Sequence, residues 1–391
     1  MMHSERFTLA LIRGILCLAM IGMVTACNHD DQSRKNPERI EISAQNKSYK
    51  LSQIFESDYE LIKLQTNSDN KIGIVNKIRF WKDRIYILDN TNTIYSFLRD
   101  GTYIDKLSNI GRGPEEYIMI MSFQVQDFDT RCEIVINDPV SRKIVRYSQD
   151  FKFIDFEELP FPFYDFVITS SGTMVYYRGL MTGTEDMYNY DLILENPEGE
   201  GFIKFFPYEF HNLTHGKAHP FTYSNNSLLF HTNYSDIIYE IDEQGSVIPR
   251  FHILFGDYKY PSKEFFLENK DKKTASKEIL NSSMVYSYDF KEVSDQLFLS
   301  FYVEKSRYLF IKDHYRNQLL TNDYKDDFGF RLCNDNVDFF DGDKFGFIIY
   351  PFMLEDEKKD HTIPLNQSIR SLSLEDNPAL VLFRLKSKIE L

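Results

Sequence analysis

One unit recurs six times along this chain, and that repetition restricts the possible folds more than any other feature. Each copy holds an apolar run, a polar turn and a second apolar run that ends on a turn signal. In the first copy, residues 84–89 read RIYILD and residues 93–98 read TIYSFL. Arg99-Asp100-Gly101 then turns the chain into a third run at 102–107. The second copy repeats this at 133–138, 143–147 and 152–156. Later copies are looser: 173–177 with 191–194, 227–231 with 236–241, 296–301 with 307–311, and 345–350 with 379–385. Two of them turn at Asn196-Pro197-Glu198-Gly199 and Asp242-Glu243-Gln244-Gly245.

Some of these runs alternate apolar and polar residues, and others are apolar throughout. Alternation marks a strand with one buried face; a continuous run marks a strand buried on both. Small sheets packed face to face around a ring contain both kinds. Such radial repetition is the β-propeller, built from about 4–8 blades of four antiparallel strands. Six copies therefore predict an all-β, six-bladed propeller. Residues 49–64 precede the first copy and are placed to add a strand to the last blade, closing the ring and removing an open edge. A β-sandwich or a pair of barrels is the competing fold, and turn signals recurring in six copies favour the propeller. Residues 261–283 break the pattern. They are rich in Lys and Glu around Phe265, Phe266, Leu267, Ile279 and Leu280, and Ser262 can start a helix. They predict a helical insertion between blades four and five.

The N-terminus carries an address. Arg6 and Arg13 form a basic region ahead of a short apolar stretch, Ile15 to Ile21, and the segment closes on Val24-Thr25-Ala26-Cys27. The stretch is at most about half the ~20 residues of a spanning helix, and a small-residue cleavage site follows it. It resembles a bacterial lipoprotein signal peptide, which implies lipidation of Cys27 and a membrane partner reached through that lipid. Asn28 is not the aspartate of inner-membrane retention, and Asp30-Asp31 resembles the acidic export signal of Bacteroidetes surface lipoproteins. The expectation is an outer-membrane lipoprotein, cell-surface exposed, with a periplasm-facing anchor as the alternative. The predicted organisation is a leader at 1–26, a flexible polar tether at 27–44 and the propeller at 45–391.

A formal charge of −14 argues against nucleic acid, which needs a basic footprint. Phe and Tyr number 34 and 25 against a single Trp, a bias that suits strands. Cys132 and Cys333 stay in the mature chain; the compartment permits a disulfide, and two buried thiols are the simpler reading.

Between the first and second copies runs Ile110-Gly111-Arg112-Gly113-Pro114-Glu115-Glu116-Tyr117. On this motif the chain resembles the six-bladed β-propeller lipoproteins of Bacteroidetes, relatives of the NHL-repeat propellers, in which a Gly-rich loop occupies the same connection. The resemblance spans roughly residues 45 to 391, with the motif clear in one blade. It implies the fold and no common activity. The loop lies at the channel mouth of a propeller, which makes Arg112, Glu115, Glu116 and Tyr117 candidate ligand contacts; a structural turn is the alternative. It lacks the Lys-Ser/Thr ending of a phosphate loop.

Other constellations are weaker. His211, His215 and His219 are spaced by four, yet Gly216 and Pro220 interrupt any helix there. Asp335, Asp338, Asp341 and Asp343 surround Gly342, which reads as a hairpin turn or a calcium loop of unfamiliar spacing. No Gly-x-Ser-x-Gly elbow is present. The main functional expectation is a non-enzymatic binding module for a glycan, a peptide or an envelope protein, with no cofactor. One alternative is a calcium-dependent, lactonase-like hydrolase, as found among six-bladed propellers, with Asn92, Asn137, Asp138 and Asn225 as channel ligands. Another is a structural subunit of an outer-membrane complex.

Overall fold

Strands buried on both faces form the middle of every sheet. Residues 85–88 of blade 1 and 134–136 of blade 2 are 0% exposed, because neighbouring blades cover both their faces. In the computed structural model the described residues are 36–389, without 129–130, 180–188, 208–218, 225–226, 233–234, 270–271, 331, 333–336 and 355–364. They form six sheets, each built on four antiparallel strands ordered from an inner to an outer one. The inner strands are Val75–Trp81, Ser122–Phe128, Asp165–Ile168, Phe221–Ser224, Val285–Val293 and Phe339–Asp341 of blades 1 to 6. Inner strands of successive blades meet around a central channel. Outer strands face solvent, as in blade 2, where residues 155–158 of Phe153–Glu158 are exposed. The all-β, six-bladed propeller expected from the repeats is the fold.

Ser262 caps the first helix of the expected insertion, its side chain accepting from the backbone N–H of Phe265. Helices Lys263–Glu268 and Lys272–Leu280 follow, between blades 4 and 5.

The N-terminal segment reaches further round the ring than the sequence indicated. Glu38–Glu41 lies parallel to Val247–Leu254 as a fifth strand of blade 4. Asn46–Lys50 does the same for blade 5 against Gln318–Lys325. Glu60–Lys63 then pairs antiparallel with Ala379–Arg384 and completes blade 6, closing the ring. Thus the stretch read as tether, 27–44, contains a strand at its C-terminal end, where Ile40 and Ile42 are buried in the core shared with blade 5. Two alternating isoleucines are too short a pattern to announce a strand on their own.

Charge reinforces the seam between blades 6 and 1. Arg99 grips Glu60 with two parallel bonds of 2.8 and 3.0 Å and reaches Asp341 at 2.6 Å. Lys344 adds a third bond to Glu60 at 2.6 Å. The guanidinium lies 4.6 Å from the centre of the Phe80 ring, which stacks on Phe339. At the same seam Gly101 has φ +90°, and a Cβ there would stand 2.1 Å from the carbonyl oxygen of Lys63, so only glycine fits.

The Arg99 and Lys344 bonds hold the Glu60 carboxyl at about 2, below its ordinary 4.5. A depressed carboxylate stabilises the fold above its unfolded pKa, and that contribution is lost as pH falls towards the folded value. The melting temperature of Glu60→Gln should therefore lie below that of the wild type at neutral pH, and the gap should narrow from about pH 4.5 towards 2. A gap that stays constant in melts from pH 6 to pH 2.5 would contradict this assignment.

Candidate functional site

Inner strands carry charged groups into the ring. Lys77 and Arg79 project from blade 1 two residues apart, hence to one side. Lys77 donates to Asp165 of blade 3 at 2.6 Å. Arg79 Nε donates to Gln124 Oε1 of blade 2 at 3.1 Å, and Gln124 in turn reaches the carbonyl oxygen of Phe166 in blade 3. From blade 5, Lys291 donates to the carbonyl oxygen of Tyr223 at 2.9 Å and sits 5.4 Å from the centre of the Phe340 ring. His219, entering blade 4, packs edge-on against the same ring at 5.9 Å. These groups line a cavity of ≈ 860 Å³.

Burial shapes their proton affinities. It lowers Lys77 to about 8 against the opposing pull of Asp165, and lowers Lys291 to about 8 against Asp343. Burial also lowers His219, with Asp289 acting in the opposite sense.

A second cavity of ≈ 780 Å³ adjoins the first where the inner strands end. Trp81 and Tyr223 border both cavities. Tyr223 is 48% exposed, while the buried Trp81 indole N–H has no partner in the described structure. Thr169, Ser170, Ser227, Glu240 and Glu243 supply hydroxyls and carboxylates around them. Glu243 accepts from Ser170, which holds it below the ordinary carboxylate range.

The residues singled out from sequence fall elsewhere. The Gly-rich loop joins an outer strand to the next inner strand, so it occupies the face opposite the Trp81 cleft. Tyr117 is fully buried, its hydroxyl bonded to the carbonyl oxygen of Asn92 at 3.0 Å. The Glu116 carboxylate accepts the N–H of Gly113 at 2.7 Å, and a Cβ at Gly111 would meet that carboxylate at 2.0 Å. Both side chains therefore build the turn; Arg112 and Glu115 stay exposed. Asn92 accepts from Ile120 N, Asn137 donates to the carbonyl oxygen of Phe163, and Asp138 caps Ile118, Val140 and Ser141. Asp338, Asp341 and Asp343 go to Ile348 N, Arg99 and Arg384 respectively. Among the described residues no three His, Cys, Asp or Glu side chains are grouped to hold a metal. Cys132 is a half-buried thiol that burial pushes up to about 11. Cys27, His211, His215, Asn225, Cys333 and Asp335 lie outside the described residues.

Sequence reasoning missed Lys77, Arg79, Asp165 and Lys291. The available signal was charge at alternate positions inside strand-like runs, as in Lys77-Ile78-Arg79-Phe80 and Asp289-Phe290-Lys291.

A family model for a domain of unknown function, DUF4934, matches residues 37–384. The chain belongs to this family. The start of that match coincides with the N-terminal strand of blade 4, so the DUF4934 unit includes the strap that closes the ring. A crystal structure of a Bacteroides fragilis protein described as exported resembles the chain with a TM-score of 0.73 at 18% identity. The match covers 90% of this chain and 99% of that one. A DUF4221 family member from Bacteroides vulgatus is similar over 85% of this chain and 97% of its own, at 9% identity and a TM-score of 0.46. No curated protein matches the sequence.

Proposed function

We propose that this DUF4934 chain is a binding module of the cell envelope, anchored by lipid at Cys27, that takes an oligosaccharide at the Trp81–Tyr223 cleft. The observation that carries this reading is the pairing of two aromatic side chains with hydroxyls and carboxylates across two adjoining cavities. Aromatic faces cover the apolar face of a sugar ring, and a few placed polar groups fix its hydroxyls. Strand addition by a peptide is disfavoured at blades 4 and 5, whose outer edges already carry the N-terminal strands. Arg112 and Glu115, on the other face, remain free to touch a neighbouring envelope protein.

Trp81 is the sole tryptophan of the chain, so its fluorescence reports on this cleft alone. Titration with a panel of oligosaccharides should shift that emission for at least one class. Calorimetry with the same sugar should show Trp81→Ala weakening binding by about tenfold or more, the loss expected for a central aromatic anchor. An unchanged affinity in Trp81→Ala, or no sugar binding at all, would rule the cleft out as a glycan site.

A further inference from the structure

Among the described residues, two channel cations, Arg79 and Lys291, have no carboxylate bonded to them. Arg79 has five N–H donors and spends two on neutral acceptors, Gln124 Oε1 and the carbonyl oxygen of Ile78, each at 3.1 Å. Asp165, the acid whose field it feels, is already bound to Lys77. Among the described residues Lys291 likewise bonds only a carbonyl oxygen, with Asp343 acting on it through space. The cavity's other carboxylates have their own donors: Glu292 accepts from Ser224, Asp338 from Ile348 N at 2.7 Å and Asp343 from Arg384 at 2.9 Å. Asp289, two residues before Lys291 and so on the same side of the strand, acts on His219.

Enclosing a cation without a counter-charge is costly. A lysine can relieve the cost by shedding its proton, but an arginine stays charged. A chain of formal charge −14 has carboxylates in excess, yet none among the described residues is bonded to Arg79. Arg79 instead lines the cavity with N–H donors to spare.

We propose that the middle of the channel is a seat for an oxyanion carried by the ligand, gripped by Arg79 as a two-pronged donor and by Lys77 and Lys291 as point charges. The inference rests on the glycan reading only for the molecule that bears the anion; the ligand is then an acidic sugar, its charge a carboxylate or a sulfate ester. The sugar body stacks at Trp81 while its anionic group reaches inward to Arg79.

The test titrates the purified chain with length-matched oligogalacturonate, sulfated galactan and neutral galactan oligosaccharides, and separately with inorganic sulfate. Calorimetry, Trp81 emission and thermal melts are the readouts. An acidic series should bind at least about tenfold tighter than the neutral one, about 1.4 kcal/mol, and Arg79→Gln should erase that advantage, since a charge-assisted bond is stronger than a neutral one. Arg79→Lys should recover part of it. Preference for the carboxylated or the sulfated series names the anion, and either supports the seat. Sulfate should raise the wild-type melting temperature beyond sodium chloride of equal ionic strength, and by more than it raises that of Arg79→Gln.

Neutral sugars binding as tightly as acidic ones, with Arg79→Gln unchanged, would overturn the anion seat while leaving the glycan reading intact. Sulfate protection that depends on Arg79, with no oligosaccharide bound, would end the glycan reading and support the seat. Should Arg79→Gln melt well below the wild type, Lys291→Gln replaces it in the same series, and an unaltered acidic preference there counts against the proposal.

Discussion

A chain that begins at Gln65 is expected to lose its cooperative fold. Removing everything before it strips one strand from each of blades 4, 5 and 6. Eight large apolar side chains are buried by that segment: Ile40, Ile42, Tyr49, Leu51, Ile54, Phe55, Ile62 and Leu64. At about 1.5–3 kcal/mol each they contribute roughly 12–24 kcal/mol of gross burial. A domain's net stability is only about 5–15 kcal/mol. Even if a compact unfolded state trims that figure by about 10–40%, the loss competes with the whole margin. Phe55 shows why the damage would spread: its ring lies within 5.4 Å of Phe383, 5.9 Å of Phe345 and 6.0 Å of Phe347, the heart of blade 6. The strand Ala379–Arg384 would also be left as an open edge, prone to pair with other chains. Circular dichroism and calorimetric melts of the truncated chain decide the matter. A single sharp transition within a few degrees of the full chain's would show that the strap is dispensable.

The second large effect concerns Cys27. Substitution Cys27→Ala should abolish incorporation of labelled palmitate in a lipoprotein-competent bacterial host, whereas Cys17→Ala should leave it intact. The two cysteines make a clean contrast, since Cys17 sits inside the apolar run and Cys27 directly after the small residues Thr25-Ala26. Lipid attachment matters because each buried CH₂ contributes about 0.8 kcal/mol, so more than one acyl chain holds a protein far better than one. No helix among the described residues is long and apolar enough to cross a membrane, and a lipid supplies an anchor without one. Equal labelling of Cys27→Ala and the wild type would sink the lipoprotein assignment.

Much of the architecture was readable in one dimension. The second, third and fourth strands of blade 1 appear in the sequence as RIYILD, TIYSFL and the run after Gly101, and they fold as Arg84–Asp89, Ile94–Leu98 and Tyr103–Leu107. Each is legible because its burial pattern is written in its own residues and its turn in the adjacent glycine. Ser262 announced its helix for the same local reason. The inner strands were harder to read, because the channel lets Lys77, Arg79 and Lys291 interrupt what would otherwise be apolar runs. The Gly-rich loop was conspicuous, yet its most prominent members, Glu116 and Tyr117, are occupied in holding the turn.

What the sequence determined alone was the repeat, hence six sheets. That repeat depends on neighbours within a few residues, where strand period and turn chemistry operate. Only the tertiary structure decided that Glu38–Glu41 and Asn46–Lys50 bind blades 4 and 5, and that Lys77, Arg79, His219 and Lys291 share one cavity. Those residues are separated by most of the chain. They meet because the ring closes, and closure is a property of all six blades together.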